Sequence, residues 1–407
     1  MNLLNQHQVE TANSCIQCGL CLPTCPTYIL SGKEVSSPRG RIQQIKYFNS
    51  NPINLSDEFI SEMNYCLDCQ ACETACPAGV KYGSLVESAR NFITTENQTV
   101  LKKYLKKILL NGFFSNQKRF IIISKILRFF QNISFFNLVK IFNRKILLFP
   151  NLNQTFYSEN NLEFYLSIAT KRFSVALLTG CIMDIAFKKI HDDTIEVLRQ
   201  QGCDVYIPKM QGCCGSIHGH NGEHDEAKRL ANLLKSKFNV EKFDAIISNS
   251  AGCGAFIKEY PINFDSSFST FSNKVLDFAE FLSKINFIPS KNKLNVKVTY
   301  HDACHLAHSQ KISSQPRDLI KLISGIEYKE LNESSWCCGS AGVYNITHFE
   351  DSIKILDRKM ENINKTETEF CVASNPGCII QLEYGAKKSN SNVKIIHLAT
   401  LLRMTYV

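Results

Sequence analysis

The sequence predicts an α/β plus α chain: an α-helical N-terminal unit followed by two copies of one α/β domain. Two observations carry that prediction. A run of four cysteines, "CIQCGLCLPTCP" at residues 15–26, returns as "CLDCQACETACP" at 66–77. Beyond residue 170, short apolar runs alternate with helical stretches, and cysteines recur at offsets of 123, 124 and 125 residues. The expected divisions are a helical domain over 1–100, a basic amphipathic helical connector over 101–170, and α/β copies over 171–290 and 291–407.

In the first 100 residues the thiols stand too close for all of them to pair comfortably in disulfides. Cys-x-x-Cys runs in a long chain point instead to metal ligation or redox chemistry. Cys15, Cys18, Cys21 and Cys25 have the C-x2-C-x2-C-x3-C-P spacing that wraps a [4Fe-4S] cube, as ferredoxins do, and Cys66, Cys69, Cys72 and Cys76 repeat it. In that arrangement the fourth cysteine of each run reaches the other cube. One cluster is therefore expected on Cys15, Cys18, Cys21 and Cys76, and a second on Cys66, Cys69, Cys72 and Cys25. Pro26 and Pro77 turn the chain away after the fourth ligand, and Gly19 lets backbone approach the inorganic sulfides. Zinc is the alternative, but it usually takes its thiolates from two separated pairs.

The chain has 407 residues, enough for two or three domains with proper cores. Its 18 cysteines and an opening "MNLLNQHQVE" without a basic start or apolar segment suggest a reducing, cytoplasmic setting. The net charge of +9 is concentrated: residues 101–150 carry eleven Lys or Arg and no Asp or Glu. Their longest uncharged stretch, Phe129 to Val139, is far below the ~18 residues of a spanning helix. Such a segment suits peripheral contact with an anionic bilayer, here the cytoplasmic face of the inner membrane, or docking on a partner. A solvated basic face on ordinary packed helices is equally open. No nucleic-acid-binding motif accompanies the charge.

In the α/β copies, "SVALLTGC" ends at Cys181, "CDVYIPKMQGCCG" carries Cys213 and Cys214, and "AIISNSAGC" ends at Cys253. "VKVTYHDAC", "NESSWCCG" and "CVASNPGC" bring Cys304, Cys337, Cys338 and Cys378 to matching places. The closing pieces match too: "VLDFAEFL" from Val275 and "IIHLATLL" from Ile395 each run from an apolar stretch into a short helix. Functional groups in open α/β sheets gather beyond the carboxyl ends of strands, where both cysteine quartets are expected. The quartets suit either one further iron-sulfur centre or reduced thiol chemistry without metal. Gly180, Gly212, Gly215, Gly252, Gly339 and Gly377 beside them permit tight turns and close approach. Cys203 and Cys371 fall in apolar strand sequence and read as buried core thiols. His301, Asp302, His305 and His308 in "HDACHLAH" are candidates for ligation, proton relay or quinone contact, with structural hydrogen bonding as the plainer role.

These motifs, with "SPRGRI" and "CCGSAGVYNI", resemble the iron-sulfur subunits of glycolate oxidase, also called glycolate dehydrogenase, over nearly the whole chain and least across 100–165. The cysteine-rich copies correspond to that family's CCG domains. In related heterodisulfide reductases the module ends in Cys-x-x-Cys; Ser250 and Asn375 stand here in place of its first Cys, leaving four thiols per copy. Within "SPRGRI", Ser37 suits a helix cap with Pro38 at the first helical position, and Arg39 and Arg41 fall near the clusters.

Oxidation of a 2-hydroxy acid releases two electrons, whereas cubes exchange one at a time, so a flavin is required. No strand-linked G-x-G-x-x-G fingerprint occurs, and the flavin is expected on another chain. The resemblance implies flavoprotein partner subunits that oxidise glycolate to glyoxylate, with this chain passing electrons toward a membrane quinone. Anaerobic glycerol-3-phosphate and lactate dehydrogenases use equivalent subunits. An iron-sulfur sensor or basic binding module is the alternative outside enzymology.

Overall fold

A computed structural model describes residues 3–51, 55–96, 116–133, 136, 145, 148–160 and 162–406. Much of the basic connector, including 101–115 and 137–144, lies outside the described residues. The N-terminal part is helical: Gln6–Asn13, Pro26–Ser31, Pro38–Ser50, Asp57–Tyr65, Ala71–Thr74 and Tyr82–Glu96. Local chemistry starts these helices. Ser37 Oγ accepts from Gly40 N at 2.9 Å with Pro38 in the first turn, as "SPRGRI" suggests, and Ser56 caps a helix that opens on Asp57 and Glu58. Their apolar faces, including Ile42, Ile45, Phe59, Met63, Leu85, Ala89 and Ile93, close one small core.

The first sheet contains β1 (Phe164–Tyr165), β2 (Phe173–Leu178), β3 (Cys203–Tyr206), β4 (Ala245–Ser248) and β5 (Val275–Asp277), in the order β1-β3-β2-β4-β5. The second contains β6 (Val296–His301), β7 (Ile326–Tyr328), β8 (Phe370–Ala373) and β9 (Lys394–Ile396), in the order β7-β6-β8-β9. Apart from β1, which pairs antiparallel with β3, every pairing is parallel, and the two orders superimpose strand for strand. That edge strand falls within the expected connector, so the first α/β domain begins before residue 170.

Side chains alternate along each strand. Val175 and Leu177 of β2, Val298 and Tyr300 of β6, and Phe370 and Val372 of β8 share one core between the sheets. Their alternates face separate helical layers, Ala176 and Leu178 on one side, Cys371 and Ala373 on the other. The helix pairs across the seam are reciprocal: Lys188–Gln200 packs on Leu398–Arg403, and Phe278–Lys284 on Ser314–Lys321. Both closing pieces end in capped helices, with Asp277 accepting from Ala279 N at 2.8 Å and His397 Nδ1 from Ala399 N at 3.0 Å. Cys203 and Cys371 lie fully buried within β3 and β8, core thiols as expected.

The longer described helix of the connector, Gln117–Asn132, buries Phe120 and Ile121 against Ile185, and a single turn, Tyr157–Asn160, follows it. Ile122, Ile126 and Phe129 on its other side are exposed. No helix among the described residues is long and apolar enough to cross a membrane.

Candidate iron-sulfur centres

The repeated cysteine runs adopt the same local fold. Gln17 and Gly19 in the first run, and Asp68 and Gln70 in the second, take left-handed backbone conformations at matching positions. A Cβ at Gly19 would also stand 3.0 Å from the Arg39 guanidinium. Each pair curls the chain so that its thiols converge.

Two cavities result. The first is lined by Cys15, Cys18, Cys21 and Cys76, with Cys72 and Arg39 at its edge. The second is lined by Cys25, Cys66, Cys69 and Cys72, with Arg41, Asp68 and Tyr82. The fourth cysteine of each run thus lies with the first three of the other. Burial pushes the Cys69 and Cys72 thiols well above their ordinary range, so bare thiolates are disfavoured there. Bound iron supplies the missing positive charge, and four convergent sulfurs are its donor set; the residues fit a cube in each cavity.

Both arginines reach this region. Arg39 Nη1 donates to Gln17 O at 2.8 Å beside the first cavity. Arg41, fully buried, donates to Glu62 O at 2.8 Å and Thr27 Oγ1 at 3.0 Å beside the second. Burial opposes the Arg41 charge, yet Tyr82, Cys66, Cys25 and Glu62 outweigh it and hold its pKa above the ordinary arginine value.

Beyond the carboxyl ends of the strands, the quartets also converge. In the first repeat Cys181, Cys213, Cys214 and Cys253 are joined in series by thiol hydrogen bonds. Cys304, Cys337, Cys338 and Cys378 are joined likewise in the second. Each CCG turn aims a backbone donor at its first sulfur, Gly215 N to Cys213 Sγ at 3.3 Å and Gly339 N to Cys337 Sγ at 3.4 Å. The Cys213 thiol is held well below its usual range by hydrogen bonds from Cys181 and Cys214, with His218 adding to them. Ser250 hydrogen-bonds Cys253, and Asn375 Nδ2 donates to Cys378 Sγ at 3.6 Å, so the residues replacing a thiol serve its neighbour. Gly252 and Gly377 sit in helices, where they allow close approach rather than a turn.

The four polar residues of "HDACHLAH" separate. His301 offers a ring nitrogen close to the Cys338 and Cys378 sulfurs. Asp302 takes two hydrogen bonds from Arg317, both at 2.8 Å. His308 Nδ1 lies 3.0 Å from Thr74 Oγ1. His305 stacks on His220 with ring centroids 5.1 Å apart, and His220 in turn faces Asp68 and Glu87.

This junction was invisible in the sequence reading. Arg90 donates to Met63 O, Cys66 O and His220 O, tying the second cysteine run to the first repeat. Toward the second repeat, Cys69 and Leu67 pack with Trp336, Cys337 and Tyr344. The second cavity therefore adjoins the Cys304 quartet.

A 4Fe-4S dicluster domain profile matches residues 11–80, and a cysteine-rich domain profile matches 175–258 and again 298–383. The chain is 36% identical to a probable glycolate oxidase iron-sulfur subunit of Bacillus subtilis (strain 168), over 96% of this chain and 93% of that protein. It is 27% identical to the glycolate oxidase iron-sulfur subunit of Escherichia coli (strain K12), over 92% and 91%. Lactate utilization protein A of Oceanobacillus iheyensis matches at 26%, over 56% of this chain and 96% of its own length. With its dicluster domain, its two cysteine-rich repeats and similarity running from end to end, the chain is an electron-transfer protein and belongs to the family of glycolate oxidase iron-sulfur subunits.

Proposed function

We propose that this chain is the electron-carrying subunit of a flavin-dependent complex that oxidises glycolate to glyoxylate and delivers the electrons to a membrane quinone. The observation that carries the reading is the adjacency of the two thiol-lined cavities to each other and of the second to the Cys304 quartet. When bound, [4Fe-4S] cubes supply one-electron transfer between neighbouring centres.

The residues divide that task. Cys15, Cys18, Cys21 and Cys76 hold one cluster; Cys66, Cys69, Cys72 and Cys25 hold the other. Cys72 borders both cavities and keeps the two sites close. Arg39 and Arg41 place positive charge beside them, which favours the reduced, more negative state. The quartets Cys181, Cys213, Cys214, Cys253 and Cys304, Cys337, Cys338, Cys378 hold further iron-sulfur centres. Flavin sits on partner flavoprotein subunits. Glycolate is preferred to lactate because the glycolate oxidase relatives match almost the whole chain, whereas lactate utilization protein A matches little over half of it.

Delivery takes place at the cytoplasmic face of the inner membrane. The helix Gln117–Asn132 supports this, with Lys118, Arg119, Lys125 and Arg128, no acidic residue, and exposed Ile122, Ile126 and Phe129. Divisions near residues 100 and 290 belong to the same proposal, with the first α/β domain beginning ahead of Phe164 rather than near 170.

The test is anaerobic purification of the chain with its co-purifying flavoprotein, followed by glycolate addition under visible and paramagnetic-resonance observation. Iron-sulfur absorbance should bleach with glycolate, and the chain alone should oxidise none. Bleaching by lactate or glycerol 3-phosphate but not glycolate would move the substrate. Stoichiometric zinc without acid-labile sulfide would end the reading.

A further inference from the structure

One buried charge distinguishes the two cysteine quartets. The CCG turns fix the register between repeats, because Gly215 packs against Ala227 and Gly339 against Ser352. From those contacts the following helices, His224–Lys235 and Phe349–Asn364, run in step. Ala227, Leu230, Ala231 and Leu234 are buried in the first, and Ser352, Ile355, Leu356 and Lys359 in the second. Lys359 thus occupies the place of Leu234, and it is as completely buried, 0% exposed against 1%.

The Lys359 ammonium donates to the carbonyls of Glu333 and Ser334, the latter at 3.1 Å, at the entrance to the Trp336-Cys337-Cys338 turn. Among the described residues no carboxylate forms an ion pair with it. Glu333 spends its carboxylate on Arg358 and Asn362, and Asp302 spends its own on Arg317. The ionisable groups that act on it most strongly are Cys371, Cys338 and Cys337. Burial raises the Cys371 thiol to about 12, so Cys371 remains neutral. Burial lowers the Lys359 ammonium to about 8, while its two carbonyl acceptors favour the charged form. A sealed cation without an anion is strongly unfavourable. Asp302, which shares Arg317 with Glu330, supplies part of the negative charge facing Lys359, and the quartet, as metal-bound thiolates, supplies the larger part.

We propose that Lys359 is the built-in counter-ion of an anionic iron-sulfur centre on Cys304, Cys337, Cys338 and Cys378, and makes that centre easier to reduce than its counterpart in the first repeat. The inference rests on the iron-sulfur reading of the quartets given above. Reduction adds negative charge, and a fixed positive charge in a low-dielectric surrounding stabilises the product. Leucine at 234 gives the first quartet no such bias. The favoured centre is also the one beside Cys69, so the second repeat is the electron sink next to the second cavity.

The test is an anaerobic redox titration of the full chain by paramagnetic resonance, comparing Lys359→Gln, Lys359→Arg and Leu234→Met. Glutamine keeps a donor for the Ser334 carbonyl and removes the charge. It should shift the reduction equilibrium of one centre tenfold or more toward the oxidised form, about 59 mV for one electron. The N-terminal clusters should stay unmoved, as should all centres in Lys359→Arg and Leu234→Met. Should Lys359→Gln fail to fold, Lys359→Met is read against the same criteria. An unshifted midpoint in the charge-free variant, with the centre present, overturns the role of Lys359. Iron sufficient only for two cubes in the unmodified chain, with no further signal, overturns the quartet reading instead.

Discussion

His220 Nδ1 lies 2.6 Å from Glu87 Oε1 and 3.2 Å from Asp68 Oδ2, so a residue of the first repeat is held between two carboxylates of the cluster domain. Burial works against the imidazolium, yet Asp68 and Glu87 outweigh it and push His220 up to about 10. His220→Ala would leave buried Asp68 with Arg90, at 3.8 Å, as its remaining ion-pair partner among the described residues. Breaking such a pair costs about 3–5 kcal/mol. Anaerobic thermal unfolding should therefore show a lower midpoint with clusters still loaded, and an unchanged midpoint would contradict the latch.

The crossed cavities make Cys76→Ser and Cys25→Ser distinguishable. Cys76→Ser should disturb the cluster that Cys15, Cys18 and Cys21 border, and Cys25→Ser the one bordered by Cys66 and Cys69. Each should remove or convert one of two paramagnetic signals. Loss of the same signal in both variants would argue for one cluster per run.

His397 offers a pH-dependent measurement away from the thiols. It is buried, its Nε2 is 3.0 Å from Asn249 O, and burial lowers it to about 4. Between about 6.5 and 4 the unfolded chain binds a proton that the folded chain refuses, so stability falls as pH drops through that window, by up to about 3 kcal/mol. His397→Asn keeps a side-chain acceptor for the cap and should flatten this slope. Anaerobic unfolding from pH 7.5 to 5 should show the two slopes diverging; parallel slopes would exclude His397 as a source.

The exposed stripe on the helix Gln117–Asn132 predicts binding to anionic vesicles. Ile126→Asp and Phe129→Asp, at surface positions, should change stability by no more than about 0.5 kcal/mol while reducing vesicle co-sedimentation several-fold. Retained sedimentation in the double variant would exclude this helix as the contact.

What the sequence determined by itself was whatever its short-range spacing encodes. Four closely set cysteines, repeated, imply convergent thiols because ligand geometry is local, and the capped start at Ser37 and Pro38 needs only its own turn. The duplication was legible because near-constant offsets place Cys213 and Cys337 on equivalent turns. The tertiary structure alone decided which quartet faces the second cavity, and it brought His220 to Asp68 and Glu87 across more than a hundred residues of chain. It also added β1 to the first sheet and sealed Lys359 where the pattern of an amphipathic helix would place a surface lysine or a core leucine. Such contacts arise from the docking of separately patterned faces, and no periodicity within one segment records which other segment will cover it.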